Sequence, residues 1–182
     1  MRPPSLLHTT RGFTLLELAI ALLLMTSLWL LALPAWRAWI ARAERMDLAE
    51  RLAASLALAR SEAMKHGSRV NLCKSPDGVA CRTSGGWESG WLVYLDDDRD
   101  GALAPGEAVL RHEVPPPRGL TARANRPLAD YVSFTALGHA RLLNGALQMG
   151  TFTVCRTGEP ALHVVLANTG RVRIEDARER CA

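Results

Sequence analysis

The stretch DDDRDGALAPGE, at positions 96–107, spaces its oxygen-bearing side chains as D-x-D-x-D-G-x5-E. That pattern suits a hard divalent cation. Asp96, Asp98 and Asp100 would supply oxygens, Gly101 a sharp turn and Glu107 a bidentate carboxylate to Ca²⁺. Leu103 takes the usual apolar eighth position. The flanks predict strands rather than helices, so this is no EF-hand. The same letters also suit a hairpin loop whose Asp side chains cap their own backbone. A second set of residues lies in NTGRVRI at 168–174, where Arg171 and Arg173 follow Gly170. Two positions apart on a predicted strand, both arginines point to one face and could grip successive phosphates of double-stranded DNA. A strand edge defended by charge has the same composition, and Glu175, Asp176 and Glu179 weaken any positive field. The third is a single carboxylate, Glu17, inside the apolar run of RGFTLLEL (11–18). A charge inside a bilayer costs several kcal/mol on most scales, so Glu17 needs a partner or a purpose.

Enzymatic constellations are missing from the sequence. His8, His66, His112, His139 and His163 show no metal-ligand spacing, and neither a Gly-x-Ser-x-Gly elbow nor a phosphate-cradling Gly loop occurs. Trp87, Trp91 and Tyr94 are expected in a sheet core rather than on a stacking platform. The formal charge of +4 includes Arg2 and Arg11. It is too small to identify a polyanion partner by itself. No cofactor is expected apart from Ca²⁺ in the acidic loop.

These residues need positioning elements. From Phe13 to Trp36 the only ionisable side chain is Glu17, which leaves Leu18–Trp36 free of charge. That run approaches the ~20 residues that cross ~30 Å of hydrocarbon. Arg2 and Arg11, with no acid before the run, place the N-terminus in the cytoplasm and send the rest outward. Leu33-Pro34-Ala35-Trp36-Arg37 is a poor signal-peptidase site, so the anchor is expected to stay. After Pro34, no Gly or Pro occurs until Gly67, and Leu48, Leu52, Leu56, Ala59 and Ala63 form a stripe on one helix face. One helix over 13–66 would be about 80 Å long, kinked but not ended by Pro34. Gly67 should stop it.

From Arg69 onward the period changes to two. Strands are predicted at 69–73, 90–95, 108–114, 131–136, 151–155, 162–167 and 170–174, with Gly, Pro and Asn between them. The fold class is therefore α+β: a long N-terminal helix packed on an antiparallel sheet. Cys73, Cys81, Cys155 and Cys181 all follow the anchor, and an even number on the exported side reads as disulfides. Neither spacing has the short step usual for zinc ligands. Of three connectivities, Cys73–Cys81 with Cys155–Cys181 is favoured because each closes a local loop, the second tying down the C-terminal tail.

RGFTLLEL resembles the cleavage site of type IV prepilins and type II secretion pseudopilins. The resemblance implies cleavage after Gly12 by a prepilin peptidase and N-methylation of Phe13. Counted from Phe13, Glu17 is fifth, the place of the family's acid, where it would pair with the freed amine of a neighbouring subunit and set register. LALARSEAMKHGSRVNLC and GWLVYLDDDRDGALAPGEAVLRHE look like the helix-to-strand junction and Asp-rich hairpin of the GspH/FimT branch. NTGRVRI resembles the Gly-Arg-x-Arg signature of FimT-like minor pilins, which the family links to DNA capture in natural transformation. Residues 118–150 match nothing specific. The implied anatomy is a cytoplasmic leader (1–12), a helix (13–66; membrane span 13–36, amphipathic half 37–66) and an exported β-sheet domain (67–182). The implied place is the inner membrane, with the domain in the periplasm and then on a filament. Its partners would be other pilin or pseudopilin subunits, the peptidase and possible DNA. Three roles remain open: a DNA-binding competence pilin, a priming subunit at a pilus tip, and a minor pseudopilin of type II secretion.

Overall fold

The computed structural model describes residues 14–181, so the cleavage-site expectations for Gly12 and Phe13 lie outside the described residues. The chain divides into two compact units, one ending at Ile40 and one beginning at Ala41. Helix α1, Leu15–His66, contributes to both. It begins after Thr14, contains Pro34 without ending there, and stops before Gly67.

In the first unit α1 is apolar on every side. Leu15, Leu16, Leu23, Leu28 and Leu30 are all exposed, as are Trp29, Trp36 and Trp39. A helix that is hydrophobic all round belongs inside lipid or among other helices. This is the one helix among the described residues long and apolar enough to cross a membrane.

In the second unit the same helix is one-sided. Leu48, Leu52, Leu56, Ala59 and Ala63, the stripe read from the sequence, are fully buried together with Ala49. Beneath them lie two four-stranded antiparallel sheets rather than the single sheet expected. The first has the order β3-β2-β1-β5, with β1 at Arg69–Lys74, β2 at Trp91–Asp96, β3 at Val109–Glu113 and β5 at Tyr131–Phe134. The second has the order β4-β6-β7-β8, with β4 at Leu120–Ala124, β6 at Gly150–Arg156, β7 at Pro160–Leu166 and β8 at Val172–Arg180. Leu72, Trp91, Val93 and Phe134 of the first sheet and Ala122, Phe152, Val154 and Val164 of the second join the helix stripe in one core. Trp87 stands edge-on to Phe152 with ring centroids 5.3 Å apart.

The sequence reading missed β4, in the segment it could not match. LTARA buries Leu120 and Ala122 in alternation, but Ala and Arg have little intrinsic strand preference. Without β4 the second sheet has no fourth member. Polar ties hold α1 to both sheets. Arg156 pairs with Glu44, Arg45 donates to the carbonyl of Pro160, and Arg51 pairs with Glu113 at 3.2 Å.

Strand β2 is buried along its whole length. Its helix-facing side lies in the main core, and its other side holds Leu92 and Tyr94. There they form a smaller cluster with Cys73, flanked by Cys81, Leu103 and Tyr131. The acidic loop and the Cys73–Cys81 loop therefore cover the outer face of the first sheet.

Candidate functional site

Glu17 is the third residue of α1 counted from its N-cap, Thr14. Its carboxylate accepts from the Thr14 backbone N–H and hydroxyl, both at 3.0 Å, while the Glu17 N–H donates to Thr14 Oγ1 at 3.2 Å. This is a reciprocal capping box, the T-x-x-E signature, and it satisfies donors that a helix start leaves open. The letters TLLE carried that signal, which the reading for a membrane carboxylate passed over. In the single chain Glu17 thus has a local partner.

Trp87, Trp91 and Tyr94 are buried, as expected of sheet core. Both disulfides of the favoured connectivity are present. Cys73 joins Cys81 across a Cα–Cα distance of 5.6 Å, and Cys155 joins Cys181 across 5.5 Å. Inside the first loop, Asp77 Oδ1 accepts from the Val79 and Ala80 N–H groups. Those backbone donors, helped by Ser75 and Arg82, hold its carboxyl well below the usual carboxylate range. The second disulfide anchors the chain just past β8 to β6, two strands away in the sheet.

Around Gly170 three separate segments meet. The Ala167–Arg171 turn is closed by Gly170 N–H to Ala167 O at 2.9 Å and Ala167 N–H to Arg171 O at 2.9 Å. Gly170 has φ +79°, and a Cβ there would stand 2.1 Å from the Gly138 carbonyl, so only glycine fits. Arg60 on α1 donates Nε–H to that same Gly138 carbonyl at 3.1 Å. Arg60, Ser61, Met64 and Arg171 then line one shallow groove, with no acid among its lining residues. Thr135 and Ala136, in the same turn as Gly138, border a second groove with Arg69 and Arg99, again without an acidic lining residue.

The sequence placed Arg171 and Arg173 on one face, and their shared exposure against half-buried Val172 and Ile174 agrees. The two arginines are not equivalent. Arg171 closes the turn before β8 begins and is exposed, with no acid paired to it among the described residues. Arg173 is ion-paired with Glu175. Among the other arginines of the sheet domain, Arg118, Arg123, Arg126 and Arg141 take no place in the lining of this groove, and Arg123 is paired with Glu88 at 3.3 Å. Arg60 takes that place instead. Its sequence signal was slight: it follows buried Ala59 at the margin of the helix stripe.

In the acidic loop, ligand-type oxygens of Asp96, Asp98 and Glu107 lie within 4.8 Å of one another. Asp100, the third acid of the spacing pattern, is not in that group. Its Oδ1 turns back to accept from Ala102 N–H at 2.7 Å. The self-capping alternative is thus realised in part, since Glu107 also accepts from the Asp97 and Ala104 N–H groups. Gly101, at φ +78°, makes the sharp turn. Its carbonyl accepts from the Tyr94 hydroxyl at 2.8 Å. Burial, with the charges of Asp96, Glu107 and Asp100 behind it, pushes the Tyr94 hydroxyl up to about 12, against a smaller lowering by Asn71.

A long apolar helix whose second half is buried on antiparallel sheets, with its first half left bare, defines a pilin-like subunit. The sequence pattern of the type II transport protein GspH matches residues 48–170, most of the chain. The chain belongs to the GspH family of minor pilins and pseudopilins. The match includes residues 118–150 and ends at Gly170, one residue before Arg171. Two crystal structures of the type IV minor pilin FimU of Pseudomonas aeruginosa are similar to it in fold, each at 24% identity. They give TM-scores of 0.56 and 0.53 and cover 76% and 74% of this chain and 96% and 98% of their own. The minor pseudopilin EpsH from the Type 2 Secretion System of Vibrio cholerae aligns at 13% identity and a TM-score of 0.46, over 76% of this chain and 98% of its own. Among curated proteins none matches at a significant level.

Proposed function

We propose that the protein works by assembly, not catalysis. It is cut after Gly12, methylated on Phe13, held by its apolar helix in the inner membrane with the sheet domain in the periplasm, and drawn into a pilus or pseudopilus. The observation that carries this is the bare apolar surface of α1 before Ile40, which in a bilayer meets lipid and in a filament meets neighbouring helices. Glu17 then exchanges its Thr14 cap for the amine of an adjacent subunit, a pairing strengthened by low dielectric. In cells carrying the filament machinery, Glu17→Ala should leave processed subunit in the membrane while removing it from sheared filaments. Equal incorporation of variant and wild type would remove Glu17 from the assembly step.

On the exported domain, the reading best supported is capture of double-stranded DNA for uptake. It is favoured by exposed Arg171, with no acid paired to it among the described residues, in a groove it lines with Arg60, beside the second basic groove of Arg69 and Arg99. Phosphates rather than bases would be held there, so affinity should fall steeply with salt. With the full chain in detergent, Arg171→Ala should weaken binding and lower the salt slope by about one unit. Arg173→Ala should matter less because Glu175 already neutralises it. Should wild type and Arg171→Ala bind alike, or neither bind, the subunit belongs to type II secretion or to pilus priming.

A further inference from the structure

At the end of the apolar run α1 carries Trp36, Arg37 and Trp39, all exposed. We infer that they form a seat for an anionic phospholipid at the exported end of the anchor, with the headgroup phosphate on Arg37 and the two indoles and an acyl chain in the apolar notch below. This inference rests on the reading of α1 as the membrane anchor.

The first argument is depth. From Leu15 to Trp36 the helix rises about 33 Å at 1.5 Å per residue, close to the ~30 Å of bilayer hydrocarbon. Trp36, Arg37 and Trp39 then stand at headgroup level, where amphipathic indoles collect. The Trp36 and Trp39 rings lie with centroids 5.3 Å apart, and neither indole N–H has a partner among the described residues. Lipid ester carbonyls and phosphates at that level accept hydrogen bonds while the chains cover the ring faces. Below the pair, Trp29 and Trp36 bracket a notch with Ala32 and Leu33 between them. An acyl chain fits such a slot. A neighbouring helix fits it poorly, because bulky rims hold backbones apart where close helix packing uses small residues.

The second argument is charge. Lys and Arg are concentrated on the cytoplasmic side of a span, yet Arg37, Arg42 and Arg45 follow this one on the exported side. Arg42 and Arg45 both meet Glu159, at 3.6 and 3.8 Å, and Glu44 between them is taken by Arg156. Arg37 has no acid or carbonyl partner among the described residues. After Gly12 it is also the first cation of the chain. A guanidinium pairs with phosphate through two parallel hydrogen bonds, so an anionic headgroup complements it where a neutral one gains less.

The test reconstitutes the purified full chain in phosphatidylcholine vesicles holding a fixed minor fraction of brominated lipid, either phosphatidylglycerol or phosphatidylcholine. Bromine quenches the helix indoles alone, since Trp87 and Trp91 are buried in the sheet core. Brominated phosphatidylglycerol should quench as though about fivefold enriched beside the helix, the gain of one basic side chain at an anionic surface, and the excess should shrink with salt. Arg37→Gln should abolish the excess and Arg37→Lys should keep much of it. Arg42→Gln should leave it in place, because Glu159 already occupies that arginine. Arg2 and Arg11 are present in every variant, so the comparison isolates Arg37. Flotation on a density gradient reports insertion separately. A floating chain quenched equally by the two lipids, an excess that survives Arg37→Gln, or an equal loss in Arg42→Gln would each overturn the lipid seat while the anchor stands. A chain that fails to float would overturn the anchor reading and the seat together.

Discussion

Tyr94 shows how a single side chain links the sheet to the loop above it. Its hydroxyl bonds the Gly101 carbonyl, and its ring lies in the cluster with Cys73 and Leu92. With its folded value near 12 against about 10 in the unfolded chain, the neutral form is favoured on folding. The stability this lends is complete below about pH 10 and is lost as pH rises through about 12. The ultraviolet difference titration of wild type against Tyr94→Phe should show one tyrosinate forming late, and a normal midpoint would contradict the burial argument. Arg171 and Arg173 teach a related lesson. Equal spacing and charge did not make them equal, because Glu175 shares the outer face of β8 with Arg173.

At the scale of elements, α1 is two helices in function. Before Ile40 it has no polar face, and beyond it the 3.6-residue stripe meets two sheets. The last strand of the second sheet, β8, is a long edge rich in alternating charge, a composition that discourages pairing with other chains. Its far end is held by the Cys155–Cys181 disulfide. Replacing both cysteines by serine should cost about 2–4 kcal/mol, read as a lower urea midpoint, with hydrogen exchange rising first along β8. An unchanged midpoint would mean that strand pairing with β7 alone secures the tail. The helix stripe, the strand alternation and the local disulfides were legible because each depends on residues near in sequence. Strand β4 was not, since its alanines bury well only when β6 lies beside them.

For the whole molecule, the energetic asymmetry is the exposed apolar surface. Each large aliphatic side chain moved from water into lipid or a helix bundle is worth about 1.5–3 kcal/mol, and the bare half of α1 carries many. Membrane insertion and helix packing in a filament therefore satisfy the same surface, and in the single chain Thr14 caps the Glu17 carboxylate. The sheet domain has its own core and needs nothing from that surface. What the sequence determined by itself was the class: the apolar run, the change of period from 3.6 to 2, and the cysteine pairs. Each is a local regularity, enforced by backbone geometry over a few residues. The tertiary structure alone decided the division into two sheets, the meeting of Arg60 with Gly138 and Gly170, and the placing of Asn71 against buried Asp96. Those contacts join residues tens of positions apart, and their partners are selected by packing, which no local spacing encodes.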